Sequence, residues 1–293
     1  MLSRIVLFSG AALAVAAAAV AAGCGGSAGG KENEIVAAFY PLAFAAEQIA
    51  GPAAEVRNLT PAGAEPHDLE LTPSDVRAVH DASLVLYLGD GFMPGLETAV
   101  EQRPGGRQSV DVLDELRRRP GYGGGAAVDP HVWLDPVRYA EMVRLIGDAL
   151  GKEASADRLA RKLDELDGEY RRGLAHCARR QIVTSHAAFG YLATRYGLEQ
   201  VPLEGITPEA EPTARDIARL VDVVRSSGAT TVLSETLLSP KLAETIAREA
   251  GVKTAVLDPL EGISESEIAA GADYFSVMRA NLATLQEALG CTS

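Results

Sequence analysis

The sequence predicts an α/β protein with parallel sheets, divided into two lobes by one long helix. Three observations predict it. Short apolar runs alternate with helical stretches along the chain, which is the pattern of βαβ units. About 260 residues follow an apolar leader, more than a single core usually organises. Near the middle of that length lies a long amphipathic segment with strand signals on both sides.

The chain opens on Arg4, an Ala/Val-rich run over residues 5–22 and the sequence Ala21-Ala22-Gly23-Cys24. A basic start, an apolar run and small residues make a signal peptide, residues 1–23. The run is at the short end of what spans a bilayer. Small residues ending in Cys resemble a bacterial lipoprotein signal, so Cys24 is expected to carry lipid. Ordinary cleavage near Ala22 or Gly23 is the alternative and would release a free protein. Residues 24–33 contain the Gly/Ser-rich stretch 25–31 and read as a flexible tether.

Strands are expected at residues 34–39, 54–59, 84–88 and 109–113, and again at 181–184, 200–203, 231–234 and 254–257. Each is a short run bounded by Gly, Pro, Asp or Ser, as buried strands are. Helices fit between them. Thr72-Pro73-Ser74-Asp75 offers a cap, a proline at the first helical position and an acid in the first turn. Asp135-Pro136 opens a helix with Tyr139, Met142, Val143, Ile146 and Leu150 on one face, and Ser239-Pro240 opens another that should stop at Gly251. Between them, Leu159, Leu163, Leu166, Tyr170 and Leu174 recur at steps of three and four in a densely charged background. That is one stripe of a long helix. It is read as a connector over residues 153–178, with lobes at 34–152 and 179–293. An ordinary surface helix would show the same stripe. Residues 117–127 are Gly-rich and loop-like.

The formal charge of -13 argues against nucleic acid as a partner. It draws cations weakly and without selection. Of the three cysteines, Cys177 and Cys291 remain if Cys24 is lipidated. An even pair in an exported chain suggests a disulfide from the chain end to its middle; two buried free thiols are the alternative.

Three of the five histidines lie beside helix signals: His67 between a strand and a capped helix, His131 just before a helix, and His186 where a strand gives way to a helix. His67 lies in Glu65-Pro66-His67-Asp68, His131 in Asp129-Pro130-His131-Val132-Trp133, and His186 in Thr184-Ser185-His186-Ala187. Asp258, in Leu257-Asp258-Pro259, occupies a similar place. In open α/β sheets, ligands bind beyond the carboxyl ends of the strands. A cleft between lobes would gather all four. Three neutral imidazoles and a carboxylate suit four-coordinate zinc; imidazole also suits copper, iron and nickel, whereas calcium and magnesium take oxygen shells. His80 and His176 fall near helix ends and read as surface residues, where a positive charge suits the dipole.

These motifs resemble the signatures of the zinc- and manganese-binding family of ABC-transporter substrate-binding proteins (cluster A-I, zinc-uptake type). The first is residues 65–75, EPHDLELTPSD; the second is 129–136, DPHVWLDP; the third is 184–191, TSHAAFGY. Ser234-Glu235-Thr236 and Leu257-Asp258-Pro259-Leu260 look like the fourth and fifth. The resemblance spans residues 34–289. It implies two lobes, each with a central, mostly parallel sheet flanked by helices, a single long connector helix, and a metal between the lobes. Carried over, the metal ligands are His67, His131, His186 and Asp258, with Glu65 or a water as the competitor for Asp258. His at the third position is similar to zinc-binding members, whereas manganese binders commonly carry Glu there. The transported ion is then Zn2+, with manganese or iron as the alternatives. Zinc members often carry a His-rich loop before the second motif, and this chain has none. Asp129 and Glu235 are candidates to orient the imidazoles from behind. The resemblance implies a monomer at the outer face of the cell membrane that delivers its ion to an ABC permease, with no catalytic cofactor. A zinc hydrolase is the rival of another class. It would use three ligands and an open water position, but the sequence has no H-E-x-x-H, and the G-x-S-x-G spelling at residues 25–29 falls in the Gly/Ser-rich tether, not between a strand and a helix.

Overall fold

A computed structural model describes residues 34–114, 116, 119–120, 128–205 and 213–292. The signal peptide, Cys24 and the tether lie outside the described residues, as does most of the Gly-rich loop.

The first half contains strands β1 (Glu34–Ala37), β2 (Glu55–Asn58), β3 (Leu84–Tyr87) and β4 (Gln108–Asp111). They form a parallel sheet in the order β2-β1-β3-β4. A two-residue antiparallel ribbon, β5 (Arg119–Pro120) with β6 (Val128–Asp129), follows. The second half contains β7 (Gln181–Thr184), β8 (Glu199–Pro202), β9 (Thr231–Ser234) and β10 (Lys253–Val256), parallel in the order β10-β9-β7-β8. In chain order both sheets run second-first-third-fourth. The backbone repeats a topology that the sequence does not repeat. In each sheet the strand order reverses beside its first strand, which makes a crevice beyond the carboxyl ends there.

Local chemistry accounts for the helices. Helix α1 (Tyr40–Ala50) follows β1. Thr72 caps α2 (Pro73–Asp81) in a reciprocal box with Asp75, satisfying two amide groups at once. Helix α3 (Pro94–Glu101) leads into β4. Asp135 caps α4 (Pro136–Leu150) by accepting from Val137 N at 3.0 Å. Helix α5 (Glu153–Gly173) carries the expected stripe: Leu159, Leu163, Leu166 and Tyr170 are all buried. It packs on α1 and α4 and also on α10 (Tyr274–Leu289). Gly147 permits the close approach to α4, since a Cβ there would lie 2.3 Å from the Ala156 Cβ. In the second half, α6 (Gly190–Tyr196) follows β7, Thr213 caps α7 (Ala214–Ser227), and α8 (Lys241–Ala250) ends at Gly251 in the left-handed region. Such an ending favours glycine. The short α9 (Glu265–Ala269) precedes α10.

One apolar core runs through the first sheet, α4, α5 and α10 and reaches Leu233, Leu257 and Leu260 of the second half. A smaller one packs α7 and α8 on the second sheet. Buried hydroxyls tie distant segments together: Tyr139 Oη donates to Pro41 O, Tyr170 Oη to Met278 O and Tyr274 Oη to Trp133 O, each within 2.7 Å. A disulfide joins Cys177, beyond α5, to Cys291, beyond α10. Among the described residues no helix is long and apolar enough to cross a membrane.

Candidate metal centre

Three loops from distant parts of the chain deliver imidazoles to one point. His67 sits on a 3-10 turn (Pro66–Asp68) between β2 and α2, where the Glu65 carboxylate accepts from its backbone N–H at 3.2 Å. Its ring stands edge-on to Phe92, with centroids 4.7 Å apart. His131 follows β6. Asp129 Oδ1 accepts from its backbone N–H at 3.0 Å and lies 2.8 Å from its Nδ1. His186 follows β7. Glu235, just beyond β9, accepts from its backbone N–H at 3.0 Å and lies 2.7 Å from its Nδ1. Each carboxylate thus grips both backbone and ring. A proton held on Nδ1 leaves the Nε2 lone pair pointing inward, the arrangement that metal-ligating histidines use.

The fourth group is Glu261. Its Oε1 lies 3.1 Å from His131 Nε2, 3.3 Å from His67 Nε2 and 3.5 Å from His186 Nε2. The Nε2 atoms of His131 and His186 are 3.4 Å apart. Zinc bonds of about 2.0–2.1 Å set the edges of a tetrahedron at about 3.3 Å. These four edges fit it. His67, His131, His186 and Glu261 make up the metal-competent cluster, with one ligand atom from each and all four atoms within 4.8 Å of one another. The side chains of His131, His186 and Glu261 are fully buried, and that of His67 is 4% exposed.

Asp258, the expected fourth ligand, is not in this cluster. Its Oδ1 accepts from Leu260 N at 2.7 Å and its Oδ2 from Thr236 Oγ1 at 3.1 Å. Asn281 brackets its backbone, accepting from Asp258 N at 2.9 Å and donating to Asp258 O at 2.7 Å. Both carboxylate oxygens are therefore engaged in shaping the turn. That turn places Leu260 at φ 56°, a region that branched side chains rarely adopt. It swings the chain so that the next residue, Glu261, faces the histidines. Burial, the largest cause, raises the Asp258 pKa to about 6. Gly262 follows Glu261, and a Cβ there would lie 3.3 Å from the Ala64 carbonyl. The glycine lets the Glu261 turn approach the His67 loop. Glu65, the other competitor, has one carboxylate oxygen on His67 N and the other buried without a hydrogen-bond partner. Burial and the nearby Glu261 push its pKa up to about 8.

The electrostatics are those of a buried cluster. Burial lowers the His67 pKa. Burial opposes charge on His131 and His186 too, but hydrogen bonds to Asp129, Glu235 and Glu261 outweigh it and raise both. Burial would raise Glu261, yet its bonds to the three imidazoles hold it well below the carboxylate range. The centre is thus built to hold compensating positive charge beside a buried carboxylate, whether from protons or from a cation.

Over residues 35–288 the chain matches the family described as zinc-uptake complex component A, periplasmic, or ZnuA. The chain belongs to the ZnuA family. Within that family, it is 32% identical to the high-affinity zinc uptake system protein ZnuA of Bacillus subtilis, covering 89% of this chain and 88% of the relative. It is 36% identical to the zinc-binding lipoprotein AdcA of Streptococcus pneumoniae, over 89% of this chain and 56% of the relative. The chain spans about half the length of that and similar AdcA relatives. The Zn(II)-bound ZnuA-like domain of Streptococcus pneumoniae AdcA superposes with a TM-score of 0.74 at 36% identity, covering 87% of this chain and 98% of that domain. Membership of the ZnuA family accords with the two parallel sheets and with the lone cluster of three imidazoles and a carboxylate found among the described residues.

Proposed function

We propose that the protein captures zinc outside the cytoplasmic membrane and delivers it to the permease of an ABC importer. The observation that carries this reading is the cluster of His67, His131, His186 and Glu261, in which four ligand-atom separations of 3.1–3.5 Å fit the edges of a zinc tetrahedron. This reading takes Glu261 as the fourth ligand in place of Asp258, which the sequence suggests. Three nitrogens and one oxygen suit zinc, and four protein ligands leave no position for a catalytic water in a four-coordinate site. That favours holding and release over hydrolysis. The family's zinc-uptake description and the zinc named for its relatives support the same cargo.

In this reading residues 34–152 and 179–293 act as two lobes, with 153–178 between them. His67 and His131 come from the first lobe, and His186 and Glu261 from the second. An ion that bonds both lobes stabilises their closed arrangement by its differential affinity for it. Cys24 carries the lipid, residues 24–33 tether the monomer to the membrane surface, and the loaded form is what the permease meets. The lipoprotein name of the pneumococcal relative supports the anchor.

Two expectations test the site. Metal-free protein titrated with zinc and manganese in competition should prefer zinc, and saturating zinc should raise the unfolding temperature. Free zinc at a thousandfold excess over Kd contributes about 4 kcal/mol of stability. Manganese winning at equal free concentration would leave the cargo misassigned. Separately, Asp129→Asn and Glu235→Gln should each weaken zinc binding about 10- to 100-fold, because they release the imidazole tautomer. Chelator competition measures this, and unchanged affinity in both would remove the orienting role.

A further inference from the structure

The His131 loop is held at both ends by a helix that belongs to the other half of the molecule. Helix α6 begins four residues after His186. Its Tyr191 Oη donates to the Asp129 carbonyl at 3.2 Å. Its Arg195 Nε lies 2.8 Å and 2.9 Å from the two oxygens of Asp135. Tyr191 and Arg195 are spaced four apart and share one face of α6. Asp129 and Asp135 are the two ends of the segment that contains His131. The middle of that segment is gripped as well, since Trp133 Nε1 donates to Pro259 O, in the Glu261 turn, at 2.7 Å. Asp135 and Tyr191 are each 2% exposed, so the Tyr191 bond is sheltered from competing water, while the Arg195 side chain is 24% exposed and its pair with Asp135 is half-buried. Arg138 adds to the grip, with its guanidinium 5.0 Å from the Tyr191 ring centre.

The consequence is geometric. His186 and α6 are one continuous stretch of chain, and α6 is fastened to both ends of the His131 segment. The edge between His131 Nε2 and His186 Nε2, 3.4 Å, crosses from one half of the molecule to the other. Nothing covalent sets it. A shift of the segment by a fraction of an ångström would leave one imidazole short of the ion, and affinity depends on pre-set geometry of that order.

We propose that Tyr191 and Arg195 are positioning residues for metal capture, fixing the His131–His186 edge across the two halves. The inference rests on the zinc-site reading above and deepens it. Neither side chain touches the ion. Each acts through the segment it holds, and Arg195 acts through Asp135.

The test uses the full chain with zinc as the probe in chelator competition, and Co2+ as a spectroscopic substitute whose visible absorption is strong only in tetrahedral sites. Arg195→Met should weaken zinc about tenfold, the lower end of what outer partners of a metal ligand contribute, and should reduce the Co2+ absorption. Asp135→Asn should do the same. Asp135 also faces Arg138 Nε at 3.7 Å, so the double variant should be no worse than Asp135→Asn alone, where the charged partner of Arg195 is already gone. Tyr191→Phe, which deletes a single hydroxyl and keeps the ring, should show a smaller loss in the same direction, and it decides the matter if Arg195→Met does not fold. The proposal is overturned if zinc affinity and Co2+ spectrum stay at wild-type values while only the unfolding temperature falls. Wild-type protein that fails to bind zinc would instead overturn the site reading on which the inference rests.

Discussion

Replacing His131 by alanine should weaken zinc binding by two to three orders of magnitude, while His80→Ala leaves it within about twofold. Structural zinc sites bind with about 10–16 kcal/mol shared over four ligands, so one ligand is worth about 3 kcal/mol, or roughly a hundredfold and more. His131 should lie at the upper end. Its ring is fully buried, and its loss leaves Glu261 with one fewer compensating partner at 3.1 Å. An uncompensated buried carboxylate is costly. His80 sits in the last turn of α2, away from the cluster. Chelator competition on both variants, with circular dichroism to confirm folding, measures the contrast. Equal affinities would refute the ligand assignment.

Glu261→Gln should be nearly as damaging, and it separates the corrected ligand from the expected one. The substitution preserves shape but removes the only negative charge among the four ligand groups. It also replaces one carboxylate oxygen with an amide NH2, which cannot bond the ion. A loss of about a hundredfold is expected on the same arithmetic. Asp258→Asn should cost about tenfold or less. An asparagine oxygen can still accept from Leu260 N, so the turn presenting Glu261 persists. If Asp258→Asn proves more harmful than Glu261→Gln, the turn-shaping role given to Asp258 is wrong.

Much of the fold was legible because short apolar runs and their punctuation are local signals. Both sets of four strands were expected within two residues of where they lie, and Thr72, Asp135 and Gly251 mark helix ends through capping chemistry that residue type alone reveals. The β5–β6 ribbon was not legible. Two residues per strand carry no period, yet the ribbon matters because it carries Asp129. The repeated topology was hidden for a related reason. A four-residue strand fits its sheet through generic apolar contacts, so two halves can share a backbone order without sharing residues.

The site divides along the same line. Three histidines could be singled out because each stands just ahead of a helix signal, two of them after a strand signal as well. The carboxylate could not. Asp258 and Glu261 lie three apart in one turn, and which one faces the crevice depends on the left-handed backbone at Leu260. Leucine gives no sequence warning of that conformation, whereas a glycine would have. The clamp from α6 was invisible too, because Tyr191 and Arg195 act across a tertiary contact with partners about 60 residues away.

Anomalous diffraction at the zinc edge from crystals of the zinc-loaded protein tests the central claim most directly. The account predicts one ion, about 2.0–2.2 Å from Nε2 of His67, His131 and His186 and from a carboxylate oxygen of Glu261, with Asp258 still bonded to Leu260 N. An ion held by Asp258 while Glu261 points away, or an ion bound elsewhere on the molecule, would contradict it.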